Sequence, residues 1–181
     1  MGVTRKSGFT IVELLIVIVV IGILAAIVIV AFNGVNSSAR EGRIKAELRD
    51  AKQAIQRLEI DTGVTVFGCS TRTFGPEGSL QAAGTGLVIA PTIAIPDNEG
   101  CTWSAGAVAA WKGPYLPTFL DPWERSYRID LDYFICESGT ARLIAAVLSM
   151  GENAALNYPS TTTSGACADS GSDDVYLELW R

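Results

Sequence analysis

Residues 6–32 read KSGFTIVELLIVIVVIGILAAIVIVAF, and the architecture of the chain follows from this run. A short basic leader ends at Gly8, and Glu13 is the only charge in the apolar segment that follows, up to Arg40. The segment that begins at Phe9 would form a helix of about 36 Å, which is enough to cross a bilayer. A carboxylate inside lipid costs roughly 2.5–3.5 kcal/mol at the centre and less near the interface. We therefore interpret Glu13 as a functional residue that needs a positive partner.

Three kinds of N-terminal segment compete for this run. A secretory signal peptide has a shorter apolar core and a small-residue cleavage site after it, and neither feature is present here. A plain membrane anchor fits the length, and the positive-inside rule would keep the basic leader in the cytoplasm. The anchor leaves Glu13 without a role, so a third kind of segment, with a specific use for that carboxylate, is favoured.

Beyond Phe32 the pattern changes from uniformly apolar to amphipathic. After a polar joint at residues 33–38, apolar residues recur every three or four positions and form one stripe: Ile44, Leu48, Ala51, Ile55 and Leu58. Gly63 is a stop signal. The pattern predicts one helix from Phe9 to Thr62, in which residues 9–32 span the membrane and residues 33–62 pack on a globular domain, residues 63–181.

The globular domain carries strand patterns in its second half. Apolar and polar residues alternate from Tyr127 to Ile135, and a turn leads to an antiparallel partner from Arg142 to Met150. A final strand is predicted from Val175 to Leu179. Residues 63–125 show weak periodicity, with a short strand expected at Leu87–Ala90 and a short helix at Ala105–Trp111. The predicted fold class is therefore α+β, with the long helix packed on a small antiparallel sheet of three or four strands.

Composition excludes several classes of function. The chain has 14 basic and 19 acidic residues and no histidine, so Ser-His-Asp catalysis and histidine-based zinc sites are excluded. No nucleophile and base are paired in the sequence, so we do not expect an enzyme; Asp130 and Asp132 are interpreted as a solvated strand face. General nucleic-acid binding is not expected from an acidic chain.

Four cysteines follow the apolar run: Cys69, Cys101, Cys136 and Cys167. An even number of cysteines beyond a membrane segment favours two disulfides in an oxidising compartment. Three pairings are open, and we favour Cys69–Cys101 with Cys136–Cys167. Each bridge would close a loop of about 32 residues, worth ~3–4 kcal/mol in the chain-entropy model.

The leader and the start of the apolar run resemble the class III signal of type IV pilins and related pseudopilins. The resemblance implies a cut between Gly8 and Phe9 by a prepilin peptidase that also methylates the new amine of Phe9. It also implies that Glu13 pairs with the N-terminus of a neighbouring subunit and sets the register between helices. The expected product is a homopolymeric filament outside the cytoplasmic membrane, built from single-pass precursors by an assembly platform and its ATPase.

A second resemblance covers the globular domain. Gly113-Pro114-Tyr115 and Asp121-Pro122-Trp123 are similar to the GPY and DPW signatures of the major pseudopilins of type II secretion. That family usually has glycine and proline between its Trp and Tyr, where this chain has Glu124 and Ser126. In those relatives calcium ties the last loop, so the resemblance implies a calcium site with three side-chain ligands here: Asn153, Asp173 and Asp174. Asn153 stands where that family usually has an aspartate, and two alternatives stay open: a disulfide from Cys167 that tethers the loop without metal, and a solvated polar turn.

The leading hypothesis is therefore a structural subunit of a type IV pilus or pilus-like filament with a pilin fold. The first alternative is a pseudopilin of a type II secretion system. The second alternative comes from a different class: an uncleaved, monomeric, membrane-anchored binding domain, which would tolerate loss of the Glu13 carboxylate.

Overall fold

Helix α1 runs from Ile11 to Thr62 in the computed structural model, which describes residues 9–69, 77–93, 101–157, 160–161, 167–168 and 173–180. The chain divides into two compact units, residues 1–40 and residues 41–181. The described part of the second unit contains a short helix and two small sheets: α2 Ala105–Ala110, β1 Gly78–Ser79, β2 Arg128–Glu137, β3 Thr140–Ser149, β4 Ser160–Thr161, β5 Cys167–Ala168 and β6 Val175–Glu178. The predicted α+β class is confirmed.

The larger sheet has four antiparallel strands in the order β1-β2-β3-β6, and β4 pairs with β5 in a separate ribbon. The hairpin between β2 and β3 turns at Ser138 and Gly139, which have φ of 53° and 80°. Two consecutive positive φ values match the right-handed twist of the flanking strands, and glycine adopts them at little cost.

The apolar stripe of α1 forms the centre of the main core. Ile44, Leu48, Ala51, Ile55 and Leu58 are each at most 1% exposed. They belong to the same buried cluster as four residues on one face of the sheet: Ile129, Leu131, Ala145 and Val147. Removing this much apolar surface from water is the main term that holds the second unit together.

A β-bulge in β2 divides the predicted alternation between the two faces of the sheet. Asp130 pairs with Ala146, but Tyr133 pairs with Ile144, so β2 holds one extra residue at this point. A one-residue shift exchanges the faces of all later side chains. Tyr133 and Ile135 therefore join a second apolar cluster on the other face, with Ile144, Ala146 and Leu148, against which Met150 and Leu156 pack.

Two expectations from the sequence are wrong. Leu87–Ala90 is not a strand: the carbonyl of Leu87 accepts hydrogen bonds from the backbone N–H groups of Tyr115 and Leu116, at 2.8 and 3.2 Å. Asp130 is not solvated, since it is 1% exposed and its Oδ1 accepts the N–H of Asp132 at 3.0 Å across the bulge. The first departure depends on a contact between distant segments, and the second on the bulge in β2.

Two disulfides close loops in the globular domain. Cys69 is bonded to Cys101, and Cys136 at the end of β2 is bonded to Cys167 in β5. The second bridge, with a hydrogen bond from Cys167 N–H to the carbonyl of Gly139, holds the β4–β5 ribbon beside the β2–β3 hairpin.

Candidate functional site

The first half of α1 exposes large apolar side chains on every side. From Ile11 to Ile29 they are 48–85% exposed, and the most apolar 18-residue window has a mean hydropathy of 3.6 with none of its residues buried. By length and composition this is the one helix in the described part of the chain that could cross a membrane. A helix that is apolar all round needs lipid or other protein chains around it.

Thr10 and Glu13 form a capping box at the start of this helix. The Thr10 N–H and hydroxyl both donate to Glu13 Oε2, at 3.0 and 2.7 Å, and the Glu13 N–H donates to the Thr10 hydroxyl at 3.3 Å. These bonds satisfy backbone donors that a helix start otherwise leaves unpaired. The sequence carries the signal for this role, which is a Thr followed three residues later by a Glu before an apolar run. The interpretation of Glu13 as a residue in need of a positive partner missed this signal.

The capping box leaves part of the Glu13 carboxylate available. Within the described residues, Oε1 of Glu13 accepts no hydrogen bond, whereas Oε2 accepts two. The neighbouring Phe9 is 81% exposed, and Gly8 lies outside the described residues. Glu13 thus combines a local role in its own helix with a second oxygen that its own cap does not use.

Asp121, in the DPW segment, organises the turn that leads into β2. It is 3% exposed, and its Oδ1 accepts the N–H groups of Trp123 and Arg125 at 3.0 and 2.9 Å. Its Oδ2 accepts the hydroxyl of Ser149 at 2.8 Å, and Arg125 donates to the carbonyl of Gly151. The DPW turn is therefore fixed to the end of β3, which explains why an Asp is needed there.

Tyr127 connects the same region to α1. The Tyr127 side chain is buried, and its hydroxyl donates to Glu47, which also forms an ion pair with Arg43 at 3.0 Å. Burial, and then the hydrogen bond to Glu47, raise the pKa of Tyr127 well above its ordinary value, so it remains a donor. Arg43 also donates to the carbonyl of Leu120 at 2.8 Å. The turn before β2 is thus held at the level of residues 43–47 of α1.

Asp61, in the last turn of α1, holds the GPY segment. Its carboxylate pairs with Lys112 at 2.9 Å and accepts the hydroxyl of Tyr115 at 3.0 Å. The hydrogen bond from Lys112, followed by that from Tyr115, lowers the pKa of Asp61. Desolvation by burial is the main cause of the raised pKa of Tyr115. The GPY resemblance therefore corresponds to a contact that fixes the end of the helix.

The three residues expected to bind calcium do lie together, and nitrogen and hydroxyl donors occupy several of their side-chain oxygens. Asp173 accepts the N–H of Asn153 and the side-chain amide of Asn157, both at 3.0 Å. Asp174 Oδ2 accepts the Asn157 N–H at 2.8 Å and the Tyr133 hydroxyl at 2.9 Å, and Asn153 Oδ1 accepts the Ala155 N–H at 2.7 Å.

A calcium ion needs six to eight oxygen ligands. Here N–H groups of residues 153–157 and the hydroxyl of Tyr133 in β2 donate to these side chains. Among the described residues no group of three or more His, Cys, Asp or Glu is placed to hold a metal. We call this set of bonds the Asp173–Asp174 clasp; it ties residues 153–157 to the segment that leads into β6.

Comparisons with known proteins point to one class. Residues 3–29 match the family described as the prokaryotic N-terminal methylation motif. The chain is 31% identical over 135 residues to the type IV major fimbrial protein FimA of Dichelobacter nodosus, covering 67% of this chain and 83% of that protein. It is 29% identical over 150 residues to fimbrial protein Q of Moraxella bovis, covering 62% and 96%. It is 33% identical over 94 residues to the type IV major alpha-pilin of Moraxella bovis, covering 52% and 55%. No solved structure matched the chain significantly.

Proposed function

The chain belongs to the type IV pilin family, and from this premise we propose that it is a structural subunit of a type IV pilus, cut between Gly8 and Phe9 before assembly. The prepilin peptidase removes the basic leader and methylates the Phe9 amine. The precursor is anchored in the cytoplasmic membrane by residues 9–32, and the mature subunit moves into an extracellular filament. An assembly platform and its ATPase drive this step.

The observation that carries the proposal is the placement of Glu13. It is the only charge in an otherwise apolar, fully exposed run, and only one of its two carboxylate oxygens is used by the capping box. A methylated N-terminal amine still carries a positive charge. In the proposed filament, the free oxygen of Glu13 accepts the Phe9 amine of a neighbouring subunit, so the two charges enter the apolar interior together. Breaking such a buried pair by removing one partner costs about 3–5 kcal/mol.

The type II pseudopilin is a second candidate because of the GPY and DPW segments. Asp61 with Tyr115, and Asp121 with Ser149, support that local likeness. Three observations favour the pilus: the fimbrial relatives, the disulfide that secures the β4–β5 ribbon, and the hydrogen-bonded clasp where calcium would be needed. We propose that the clasp works without calcium.

Substitution of Glu13 by Gln separates the two roles of this residue. Glutamine also serves at this position of a capping box, so E13Q keeps an acceptor for Thr10 but removes the charge. We expect E13Q to abolish filaments while the precursor is still cut and reaches the membrane. The matched control is Thr10→Val, which removes the hydroxyl of the box and leaves the carboxylate; it should assemble. Normal filaments from E13Q would overturn the intersubunit role. A native chain that keeps its leader and forms no filaments would instead favour the uncleaved, monomeric, membrane-anchored domain.

A further inference from the structure

Charge is unevenly distributed along the part of the chain outside the apolar run. Residues 43–57 of α1 contain five basic and two acidic residues, whereas residues 58–181 contain six basic and fifteen acidic ones. Residues 43–57 thus carry a net charge of +3, and residues 58–181 carry a net charge of −9. Opposite potentials on two surfaces of the same molecule favour contacts between copies in which one surface meets the other.

Part of the basic segment has no partner within the part of the chain that the structure describes. Opposite the buried stripe, α1 presents a face that is exposed throughout, which we call the outer helix face: Arg49, Asp50, Gln53, Gln56, Arg57 and Ile60. Within the described residues, neither Arg49 nor Arg57 makes an ion pair or a side-chain hydrogen bond. The other basic residues of the segment are engaged, Arg43 with Glu47, Lys45 with Glu41, and Lys52 with the carbonyl of Glu178.

A groove of about 370 Å³ borders this face. Asp50, Gln53 and Arg57 line its helix side, and Tyr115 and Phe119 are among the residues opposite. Arg57 therefore stands at the wall of a concave surface in which a carboxylate side chain from outside can reach the guanidinium. Ile60, which is 82% exposed, adds apolar contact area on the same face.

The complementary acidic group is formed by two turns at one end of the sheet. Glu124 precedes β2 and Glu152 follows β3; both are exposed, and within the described residues neither has an ion-pair partner. Arg125 donates to the carbonyl of Gly151, so the two turns are tied together and the two carboxylates share one corner of the domain.

Glu124 has a φ of 63°, a conformation that is unfavourable for any residue with a Cβ and that glycine would adopt freely. The glutamate side chain is thus kept at a position where the backbone favours glycine.

The two charged groups cannot meet within one chain. Tyr127 and Arg43 hold the acidic corner at the level of residues 43–47, whereas Arg57 lies ten residues beyond Glu47, about 15 Å further along the axis. Arg49 lies close to the level of the corner, but on the exposed side of α1, opposite the buried stripe. The outer helix face also points away from the sheet. A contact between two copies therefore requires a shift along the helix axis, and such a head-to-tail contact repeats without closing.

We infer that the acidic corner of one subunit, Glu124 and Glu152, docks on Arg49 and Arg57 of the next subunit along the filament. The pairing presupposes the filament proposed above and adds a contact between globular domains to the one between helices. Through these charges, the contact fixes the axial position of one subunit relative to the next, outside the apolar helix bundle. Because both groups are solvent-exposed, the contact weakens as salt rises.

A charge-swap experiment on the full chain tests this pairing. Arg49→Glu with Arg57→Glu, and separately Glu124→Arg with Glu152→Arg, place like charges opposite each other; each should reduce recovered filaments about tenfold relative to total subunit. Combining all four substitutions should restore filaments. The matched control is Glu137→Lys, which reverses an exposed charge at the opposite end of the strands and should assemble normally.

Glu124→Gly provides a readout that a purely structural role would not give. It relieves the backbone strain, so the detergent-solubilised subunit should unfold at a higher temperature, yet filament recovery should fall. Normal filaments from either double reversal, or failure of the fourfold swap to restore them, would overturn the pairing. If the native chain keeps its leader and forms no filaments, the proposed function fails instead, which is a separate outcome.

Discussion

The hydroxyl of Ser149 donates a hydrogen bond to Asp121 Oδ2 at 2.8 Å, and this bond joins the end of β3 to the turn before β2. Asp121→Ala would leave that hydroxyl and two backbone N–H groups without their acceptor in a buried site. We expect a loss of about 3 kcal/mol in the free energy of unfolding, because each unsatisfied buried polar group costs ~1–3 kcal/mol.

Ser149→Ala removes only one of the three hydrogen bonds to Asp121 and should cost about 1 kcal/mol. Urea unfolding of the full chain in detergent, followed by tryptophan fluorescence, compares the two; equal losses would contradict the central role of Asp121.

Asp61 makes stability depend on acid pH. Its pKa is lowered in the folded chain by Lys112 and Tyr115, so its contribution is present above the unfolded pKa of about 3.9 and is lost as pH falls through the folded value. Asp61→Asn should therefore lower the melting temperature at pH 7, and the difference from the native chain should shrink below about pH 4. Melting curves of both proteins between pH 2 and 7 measure this. A difference that does not change with pH would show that the carboxylate charge is irrelevant.

Gly151 lies against Asp173 of the Asp173–Asp174 clasp. It has a φ of 61°, and a Cβ added there would lie 2.4 Å from the backbone oxygen of Asp173. Gly151→Ala should therefore displace the segment before β6 and destabilise the domain by more than 2 kcal/mol, to judge from the ~1–3 kcal/mol typical of such strained sites.

The matched control is Gly139→Ala, because Gly139 also has a positive φ but has nothing within 4 Å of an added Cβ. That change should cost only the conformational term, about 1 kcal/mol. Unfolding both variants side by side decides; equal losses would mean that the contact with Asp173 is unimportant.

Calcium should not stabilise the globular domain. A ligand at a hundred times its Kd adds about 2.7 kcal/mol to the free energy of unfolding, which would be visible as a rise in melting temperature. Because nitrogen and hydroxyl donors occupy Asp174 Oδ2 and the carboxylate of Asp173, we expect the same melting temperature in millimolar calcium and in chelator. Asp173→Asn should lower it equally in both conditions. A rise with calcium in the native chain that is absent from Asp173→Asn would contradict the clasp.

The parts of the fold set by local pattern were predictable from the sequence, and the parts set by distant contacts were not. The stripe from Ile44 to Leu58 has helical spacing, so its burial followed from the sequence alone. The bulge between Asp130 and Tyr133 leaves the alternation of apolar residues unchanged, so nothing local signals that the later side chains change faces. Leu87–Ala90 is apolar enough for a strand, but its backbone is used by Tyr115 and Leu116.

The candidate site shows the same division. The isolation of Glu13 in the apolar run was evident from the sequence. Its capping partner Thr10 could have been recognised from the same run, because the two residues are three positions apart. The resemblance to pseudopilins suggested a metal at Asn153, Asp173 and Asp174. The donors that the structure places there come from two features that the sequence does not reveal: the conformation of residues 153–157, which supplies the N–H of Asn157, and the bulge in β2, beyond which Tyr133 changes faces.

We propose that a cut after Gly8 creates the amine that pairs with Glu13. Mass spectrometry of the N-terminal peptide, taken from filaments as well as from the membrane of native cells, tests this proposal. We expect the mature chain to begin at Phe9 and to carry a methyl group on its amine in both samples. A mature chain that still begins at Met1 would contradict it.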